Sequence, residues 1–592
     1  MKRIGLILSL FAGLALTSLA GGVQKPYPWR GCMIDVSRHY FPMKFLYRQV
    51  DILSEMGINR LHLHLVDAAG WRMEIKKYPF LTEETAWRTE SDWDKWWVGG
   101  CRTYTRKENP KAYGGYYTQD ELRALVKYAS KKGITVVPEI EMPGHSEEII
   151  HAMPALSCQP PLRNMEQTDD SPVVLVRGPE PCENTGDVCP SSDFVFNFFT
   201  DVLTEVMDVF PSEYIHIGGD EASMKNWDKC ASCTALKHSL EAENNEVLQA
   251  YFMRRMTKWL NEHGRKAIVW DEAVEGLKYE DIGIDIDHDG LAVMVWRDLS
   301  YAYEAIGMGY DVILTPNAYC YLDYYQDAPQ TQPRAIGGYL PLERVYSFDP
   351  KREFSEEEED DGQVLGLQGN LWTEYVETPE HAEYMLYPRM LAIAEIGKTG
   401  GEKMSWEAFR KKALKETKRL RKKGVNAFDL SKEAGPRLES RTPIKHKALG
   451  AKVDFFKLFS DRYRAAGMGT LTDGLRGNYE HGDRRWLGFV SGKCVDFQID
   501  LGSVQDLHEI YMDFIQNSGA WIYLPKVFLL SASEDGENFE YLMGREEQKR
   551  MNVGTEFERY YWKGATRARY IRVEAEAQGE GEWIFTDEVV VN

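Results

Sequence analysis

The segment 216–221, H-I-G-G-D-E, places two carboxylates side by side at the end of an apolar run. The two glycines let the backbone approach a ligand closely. Because neighbouring carboxylates do not ionise independently, one pKa of the Asp220–Glu221 pair is expected to rise, as a general acid near neutral pH requires. Consecutive side chains on an extended segment diverge, so this pair cannot supply both acid and nucleophile across one bond. A structural acidic pair bound to a cation is the alternative.

Further acidic and aromatic side chains follow the ends of other apolar runs. They are His64, Asp67, Glu139, Glu141, His145, Trp270, Asp271, Glu272, Trp296, Tyr319, Tyr321, Asp323, Trp372 and Glu374. In a barrel of parallel strands, the loops after the strands meet at one mouth. Rings beside carboxylates at one mouth are typical of a carbohydrate site, although each Trp alone could equally be barrel packing.

The elements that must position these residues alternate regularly through the first 400 residues. The strand-length apolar runs are Met33–Val36, Arg60–Leu65, Ile134–Ile140, Tyr214–Ile217, Ala267–Trp270, Ala292–Trp296, Val312–Leu314 and Val364–Leu367. Amphipathic stretches lie between them, at Phe45–Met56, Gln119–Lys132, Phe194–Phe210 and Glu246–His263. Eight such repeats predict an α/β fold, a (β/α)8 TIM barrel. A doubly wound open sheet is the alternative.

The rest of the chain is β-rich. A helix at Trp406–Lys423 is expected to close the first domain, and the polar segment 431–447 reads as a linker. Period-two segments then occur at Val495–Leu501, Glu509–Phe514, Lys526–Ser531 and Tyr570–Ala575. We therefore predict a signal peptide at 1–20, a catalytic barrel at 21–430, the linker, and a C-terminal β-sandwich at 448–592.

The net charge and the N-terminal segment indicate which partners and which compartment to expect. The 592 residues carry a net charge of −21 with no basic block, which argues against a nucleic-acid partner. A basic start, an apolar run at 4–16 and the small-x-small pattern ending at Ala20 predict a signal peptide. An uncleaved anchor is the alternative. No later stretch is long and apolar enough to span a membrane, so we expect an exported protein.

The nine cysteines are too few for a disulfide scaffold. Cys230-x-x-Cys233 is half of a zinc-site pattern, but no second pair stands at ligand spacing. A local disulfide or two buried thiols is the favoured interpretation. We therefore expect no metal in the site and no cofactor.

Several strings in a fixed order resemble glycoside hydrolase family 20, the β-N-acetylhexosaminidases, over residues 29–426. They are W-R-G-C-M-I-D-V-S-R-H-Y-F, H-L-H-L-V-D-A-A-G-W-R, P-E-I-E-M-P-G-H, H-I-G-G-D-E, V-W-D-E, Y-L-D-Y-Y-Q and G-N-L-W-T-E. The sequence departs from this family where Ala68 follows Asp67 and where Glu141 replaces the usual Asp. These departures concern substrate preference more than the acid, which is intact.

The resemblance implies an exo-acting, retaining enzyme that removes terminal β-linked GlcNAc or GalNAc from glycans. The substrate's own acetamido oxygen would be the nucleophile and would form an oxazolinium intermediate, an exception to the two-carboxylate rule. Glu221 would be the acid and base, Asp220 would hold the acetamido N–H, and Tyr321 would donate to its oxygen. The implied substrate-binding residues are Arg30, Asp67, His145, Trp270, Trp296, Asp323, Trp372 and Glu374. A non-catalytic carbohydrate-binding barrel is the alternative. A metal hydrolase such as a deacetylase lacks a ligand cluster.

The C-terminal segment resembles discoidin or factor V/VIII type C modules through L-T-D-G-L-R-G at 471–477, I-D-L-G at 499–502 and Y-I-R-V at 570–573. The resemblance implies that the β-sandwich is a discoidin-like jelly roll. Asp473 and Glu588 are candidates for a structural calcium site, although a turn-forming role is the commoner use of such an Asp. Trp521 and Trp562 are candidate platforms for sugar rings. A module that only packs is as well supported as a lectin.

Overall fold

A computed structural model describes residues 25–98, 100, 102–158, 185–278, 282–284, 286, 288–350, 363–551 and 555–592. Its first domain contains eight parallel strands that close into a barrel in chain order. They are β1 (Trp29–Asp35), β2 (Arg60–His64), β3 (Thr135–Glu139), β4 (Tyr214–His216), β5 (Lys266–Trp270), β6 (Leu291–Val295), β7 (Asp311–Leu314) and β8 (Val364–Leu371). Pairing of β1 with both β2 and β8 closes the ring, which confirms the TIM barrel and excludes the open sheet.

Helices surround and close the barrel. They are α1 (Met43–Met56), α2 (Phe80–Glu84), α3 (Gln119–Lys131), α4 (Glu147–Ala152), α5 (Asp193–Val209), α6 (Ala231–Ser239), α7 (Glu246–Glu262), α8 (Ser300–Gly307), α9 (Asn317–Cys320), α10 (Leu342–Ser347), α11 (Pro379–Leu386), α12 (Arg389–Thr399) and α13 (Trp406–Lys422). Local sequence sets some of these starts. Thr118 and Glu121 form a reciprocal capping box at the beginning of α3.

The strand register brings polar residues to one level at the barrel mouth. Asp35 pairs with His64, His64 with Glu139, and Glu139 with His216 across four neighbouring strands. The apolar residues below this level are fully buried, as strands covered on both faces require. The loops that follow these four strands therefore begin at the same level of the barrel.

The C-terminal domain is an eight-stranded antiparallel β structure. Its strands are β9 (Lys452–Lys457), β10 (Leu487–Val490), β11 (Val495–Gln516), β12 (Val527–Ser533), β13 (Glu540–Glu546), β14 (Glu556–Glu576), β15 (Trp583–Thr586) and β16 (Val590–Val591). The prediction of separate strands at 495–501 and 509–514 is wrong, because β11 runs through both. Its register with β14 shifts between Asp500 and Gln505, near Gly502 with φ of 81°, so the strand bends instead of ending.

The segment 431–447 contacts both domains. Asp327 of the barrel accepts hydrogen bonds from the backbone N–H groups of Ala434 and Gly435 at 2.7 and 2.8 Å. Arg437 lies 2.7 Å from Asp513 in the sandwich. A direct ion pair between Arg344 and Glu480, 2.8 Å long, also joins the two domains. The predicted linker is therefore held against each domain by charged groups.

The predicted signal peptide at 1–20 lies outside the described residues. Among the described residues, no helix has the length and apolar character needed to cross a membrane.

Candidate active site

The loops after the barrel strands enclose a cavity of about 680 Å³. Most of the predicted site residues line it, namely His145, Asp220, Glu221, Trp296, Tyr321, Asp323, Trp372 and Glu374. A second cavity of about 340 Å³ adjoins it and is lined by Asp67, Trp93 and Trp97. Both cavities include His145 and Glu221 in their walls, so they form two parts of one cleft.

Asp220 and Glu221 stand on a tight loop after β4. Gly218 and Gly219 have φ of 70° and 105°, which glycine adopts without penalty. A Cβ on Gly218 would come within 1.9 Å of Glu141 Oε1, and the Gly219 N–H donates to that oxygen at 2.8 Å. Glu221 itself has φ of 47°. The loop buries Asp220 and leaves the Glu221 side chain 60% exposed.

The two adjacent carboxyl groups have opposite pKa shifts. Burial, reinforced by the charge of Glu221, raises the pKa of Asp220 to about 6. A hydrogen bond from His145 lowers the pKa of Glu221; His145 Nε2 lies 3.5 Å from Glu221 Oε2 and 3.7 Å from Asp220 Oδ2. One pKa of the pair rises, as expected, but the raised pKa belongs to Asp220 and not to the predicted acid.

A chain of ionisable groups continues from Glu221 into the barrel. His145 Nδ1 lies 3.5 Å from Asp67 Oδ1, and Asp67 Oδ2 lies 3.0 Å from His64 Nε2. His64 Nδ1 is 2.5 Å from Glu139 Oε2. Burial disfavours a charge on His145, but Asp67 and Asp220 outweigh it and hold the His145 pKa well above its usual range. Asp67 and His145 therefore act on Glu221 as a charged support.

Trp270 lies behind this cavity. It is fully buried, and its Nε1 donates to Glu139 Oε1 at 2.8 Å. His62 Nε2 and His216 Nδ1 also lie 3.0 and 3.1 Å from the Glu139 carboxylate. Trp270 contacts the cavity wall through Trp372, at a ring distance of 6.0 Å. The structure therefore places Trp270 in the support of the site and not on its surface.

Arg38 lines the cavity, and the sequence prediction missed it. Its Nη2 lies 2.8 Å from Asp67 Oδ2 and 3.8 Å from Glu374 Oε1, and its guanidinium is 5.0 Å from the centre of the Trp372 ring. Arg30 donates to backbone carbonyls at the other end of β1. The prediction of Arg30 as a sugar ligand is therefore wrong. Arg38 follows the C-terminal end of β1, so the barrel rule itself was the signal for it.

Two further carboxyl groups face the cavity with unused oxygens. Asp323 Oδ1 and Glu374 Oε2 are buried, and no hydrogen-bond donor in the described part of the chain reaches them. Burial, with each group's negative neighbours, raises the pKa of both. Asp220 Oδ1 is in the same situation. Asp220, Asp323 and Glu374 all line the larger cavity, so these three oxygens are candidates to accept hydrogen bonds from a ligand.

Three aromatic side chains line the larger cavity. The rings of Trp296 and Tyr321 lie 6.0 Å apart at 21°, and Tyr321 lies 6.2 Å from Trp372. Trp296 Nε1 donates to Glu272 Oε2 at 2.9 Å, which fixes the ring. Tyr321 is 8% exposed, and burial holds its pKa well above the usual range, so its hydroxyl remains a donor. This wall suits a small group with an apolar methyl and a polar carbonyl.

The C-terminal domain contributes residues to both parts of the cleft. His481, Asn517, Gly519 and Ala520 line the larger cavity, and Met551 lines the smaller one. A Cβ built on Gly337 of the barrel would lie 3.2 Å from Asn517 Nδ2, so the two domains meet closely there. Sequence reasoning missed these residues because nothing local relates a sandwich loop to a barrel mouth.

The other predictions for the C-terminal domain have mixed outcomes. Glu588 Oε1 lies 2.8 Å from His446 Nε2, and Oε2 accepts the Gly474 N–H at 2.8 Å. Asp473 accepts the N–H of Leu475 in a turn. A calcium ion takes oxygen ligands, and the calcium site at Asp473 and Glu588 stays a prediction. Trp521 is 61% exposed, whereas Trp562 packs partly against the domain core.

Comparison with known proteins gives two family matches. Residues 27–400 match the catalytic domain of glycosyl hydrolase family 20, and residues 465–589 match the F5/8 type C domain. The two matches cover the barrel and the sandwich and confirm the sequence resemblances.

Individual relatives agree with this assignment. The chain is 38% identical to a β-hexosaminidase of Porphyromonas gingivalis over 68% of its own length and 47% of the relative's. It is 33% identical to a β-hexosaminidase of Akkermansia muciniphila, over 66% and 72% of the two chains. The chain thus spans about half the length of the first relative.

Solved structures match over the same region. A family 20 exo-β-N-acetylglucosaminidase of Vibrio harveyi, in complex with N-acetylglucosamine, aligns with a TM-score of 0.56 and 30% identity, over 69% of this chain and 60% of the other. A β-N-acetylhexosaminidase of Bacteroides fragilis aligns with a TM-score of 0.52 and 29% identity, over 68% and 73%. With the family match covering more than half of its residues, the chain belongs to glycosyl hydrolase family 20.

Proposed function

We propose that the protein is an exo-acting, retaining β-N-acetylhexosaminidase that removes terminal β-linked GlcNAc or GalNAc from glycans. One observation carries this proposal. A buried Asp220 with an unused oxygen lies in the same cavity as the aromatic wall of Tyr321, next to the exposed carboxyl of Glu221. This arrangement suits an acetamido group held inside the pocket and a glycosidic oxygen held at its edge.

The first chemical step breaks the glycosidic bond. Glu221 gives its proton to the glycosidic oxygen while the acetamido oxygen attacks the anomeric carbon from the opposite face. The leaving alcohol keeps the proton, and the sugar becomes a bicyclic oxazolinium. Asp220 accepts the acetamido N–H and stabilises the positive charge, and Tyr321 donates to the acetamido oxygen and orients it.

The second step restores the enzyme. The Glu221 carboxylate takes a proton from water as the water oxygen attacks the anomeric carbon and opens the ring. Two displacements at one carbon return the original β configuration. No protein carboxylate forms a covalent bond, which agrees with the diverging positions of the adjacent acidic pair.

Substrate binding would give the pair the protonation states that these steps need. A sugar above Glu221 removes its exposed carboxyl from water, which raises its pKa. The acetamido N–H donates to the Asp220 carboxylate, which lowers the Asp220 pKa from about 6. The shifts in the free protein are thus reversed by the substrate, and Glu221 becomes the protonated member.

The rest of the cleft supports the exo-acting mode. Arg38, Asp323 and Glu374 would hold the hydroxyls of the terminal sugar in the larger cavity. The next residue of the glycan would lie toward Trp93 and Trp97 and the sandwich residues Gly519 and Met551. Export, inferred from the N-terminal segment, would bring the enzyme to glycans outside the cytoplasm.

The test compares two aryl β-glycosides that differ only at C2. The GlcNAc glycoside should be hydrolysed with the β anomer appearing first by NMR, whereas the glucoside without the acetamido group should be inert. A thiazoline analogue of the oxazolinium should inhibit at concentrations far below the substrate KM. Equal hydrolysis of both glycosides, or initial release of the α anomer, would contradict the mechanism. Binding of GlcNAc, GalNAc and sulfated glycosides without hydrolysis of any would favour a carbohydrate-binding protein.

A further inference from the structure

Four buried cysteines from three separate segments meet beside the β4 loop. Cys158 follows the turn at Pro154–Leu156, Cys189 follows a strand-like bridge between Ser157 and Val188, and Cys230 and Cys233 begin helix α6. All four are free thiols, and their sulfur atoms lie within 4.8 Å of one another. Cys158 and Cys189, which precede Cys230 and Cys233 by 41 to 75 positions, thus form the second pair of this site.

The distances between the sulfur atoms separate two explanations. Cys158 Sγ lies 3.7 Å from Cys233 Sγ, and Cys189 Sγ lies 3.6 Å from Cys233 Sγ and 3.9 Å from Cys230 Sγ. A disulfide requires about 2.05 Å. The corners of a tetrahedron with Zn–S bonds of about 2.3 Å lie about 3.8 Å apart. These three separations match the tetrahedron, and the remaining pairs of sulfur atoms lie within 4.8 Å of each other.

The surroundings suit a charged metal–thiolate group. Ser191 Oγ lies 3.3 Å from the sulfurs of Cys189 and Cys233, and Ser232 Oγ lies 3.1 Å from that of Cys230. Each hydroxyl carries one proton, which it can donate to one thiolate sulfur at this distance. Cys230 and Cys233 also stand at the N-terminal end of α6, where the helix dipole favours negative charge.

We propose that Cys158, Cys189, Cys230 and Cys233 bind one structural Zn²⁺ ion. Four thiolates fill a tetrahedral zinc ion and leave no open position for substrate, so the site is structural. On binding, the four thiols release their protons to solvent and each sulfur donates an electron pair to the metal. Cys158 and Cys189 would thus be the second pair of zinc ligands, which the sequence does not show at ligand spacing.

The site fastens the two loops that carry the acid and its support. Val188 N–H donates to the Pro143 carbonyl at 2.9 Å, just before His145. Asp187 Oδ1 accepts the N–H of Ser223, two residues after Glu221, at 2.8 Å. A zinc ion bound by Cys189 and Cys230 would lock this short segment against the β4 loop. It is a positioning element, since none of the four thiols lines the cleft.

The direct test is the metal and thiol content of the full chain, purified without chelator. We expect about one zinc per chain by plasma emission, and four thiols that react with a mercurial only as the zinc is released to a colorimetric chelator. Cobalt exchanged into the site should give the thiolate charge-transfer and tetrahedral bands of a four-sulfur ligand set. These readouts do not depend on hydrolytic activity.

Variants assign the site to these residues. Cys230→Ser and Cys233→Ser should lower zinc content at least about tenfold and lower the unfolding temperature. Cys494→Ser, at a buried cysteine of the sandwich, is the matched control and should keep its zinc. The proposal is overturned by a metal-free wild type whose intact mass shows two disulfides, by iron in place of zinc, or by zinc retained in both variants.

Discussion

The barrel mouth and the C-terminal sandwich both bury acidic groups near arginines, and they use them differently. In the sandwich, Arg476 Nη2 reaches Asp513 at 2.8 Å and Asp587 at 3.0 Å. At the mouth, Asp220 and Asp323 each keep one oxygen with no partner among the described residues. Buried carboxylates that pair with arginines hold the sandwich together, whereas the unpartnered carboxylate oxygens at the mouth belong to residues that line the cleft and can accept hydrogen bonds from a ligand.

Asp220→Asn should give the largest effect at the mouth. The variant keeps the size of the side chain but loses the negative charge that stabilises the oxazolinium, so kcat should fall about a thousandfold. Because the lost charge is buried and poorly paired, the unfolding temperature should stay the same or rise. Steady-state kinetics on an aryl β-GlcNAc, with calorimetry, measure both. An Asp220→Asn variant that has a lower unfolding temperature but retains its kcat would show that Asp220 is a structural group and not part of the catalytic site.

Arg476→Met should show the opposite behaviour in the sandwich. Removing this fully buried arginine takes the closest cation from Asp587, while Asp513 keeps Arg437 and Arg559, and it should cost about 3–5 kcal/mol of stability. The kcat of the remaining folded protein should change little, since Arg476 is not in the cleft. Urea unfolding followed by Trp fluorescence measures the loss. A stable variant would mean that the sandwich charges contribute as little as exposed pairs.

Arg38→Ala and Arg30→Ala form a matched pair at the two ends of β1. Arg38→Ala removes a group that lines the cavity and pairs with Asp67, so kcat/KM should fall about a hundredfold. Arg30→Ala should leave kcat/KM within about twofold, since its contacts lie at the opposite rim. Equal losses in the two variants would show that the assignment of Arg38 to the site is mistaken.

His145→Gln should change the pH profile more than the stability. His145 lowers the pKa of Glu221 and opposes the rise in the pKa of Asp220. Without that cation both carboxyls hold protons to higher pH, so both limbs of the kcat/KM profile should move upward, by about one unit. In the wild type the pKa of Glu221 lies below that of Asp220, so the form with Asp220 ionised and Glu221 protonated is a minority species, and kcat/KM should fall as pH rises through about 6. A profile that moves to lower pH would contradict the role of His145.

The sequence predicted the barrel and most of the site because both depend on short segments. Each strand is a continuous apolar run, and the residues at its end inherit their position from it. Where an outcome depends on distant contacts, prediction failed. The prediction of Arg30 rests on a motif and ignores which end of β1 the residue occupies. The prediction of two strands within β11 treats the bulge near Gly502 as the end of a strand. The four cysteines and the cleft residues of the sandwich meet only after folding.

The central claim is that Glu221 is the acid and base of a hydrolytic site, and one measurement tests it most directly. Hydrolysis of an aryl β-GlcNAc is compared between the wild type, Glu221→Gln and Glu262→Gln, a matched change on the exposed end of α7. We expect a loss of about a thousandfold or more for Glu221→Gln alone, with binding of the thiazoline analogue retained. An active Glu221→Gln variant, or a wild type inert on every hexosaminide tested, would contradict the account.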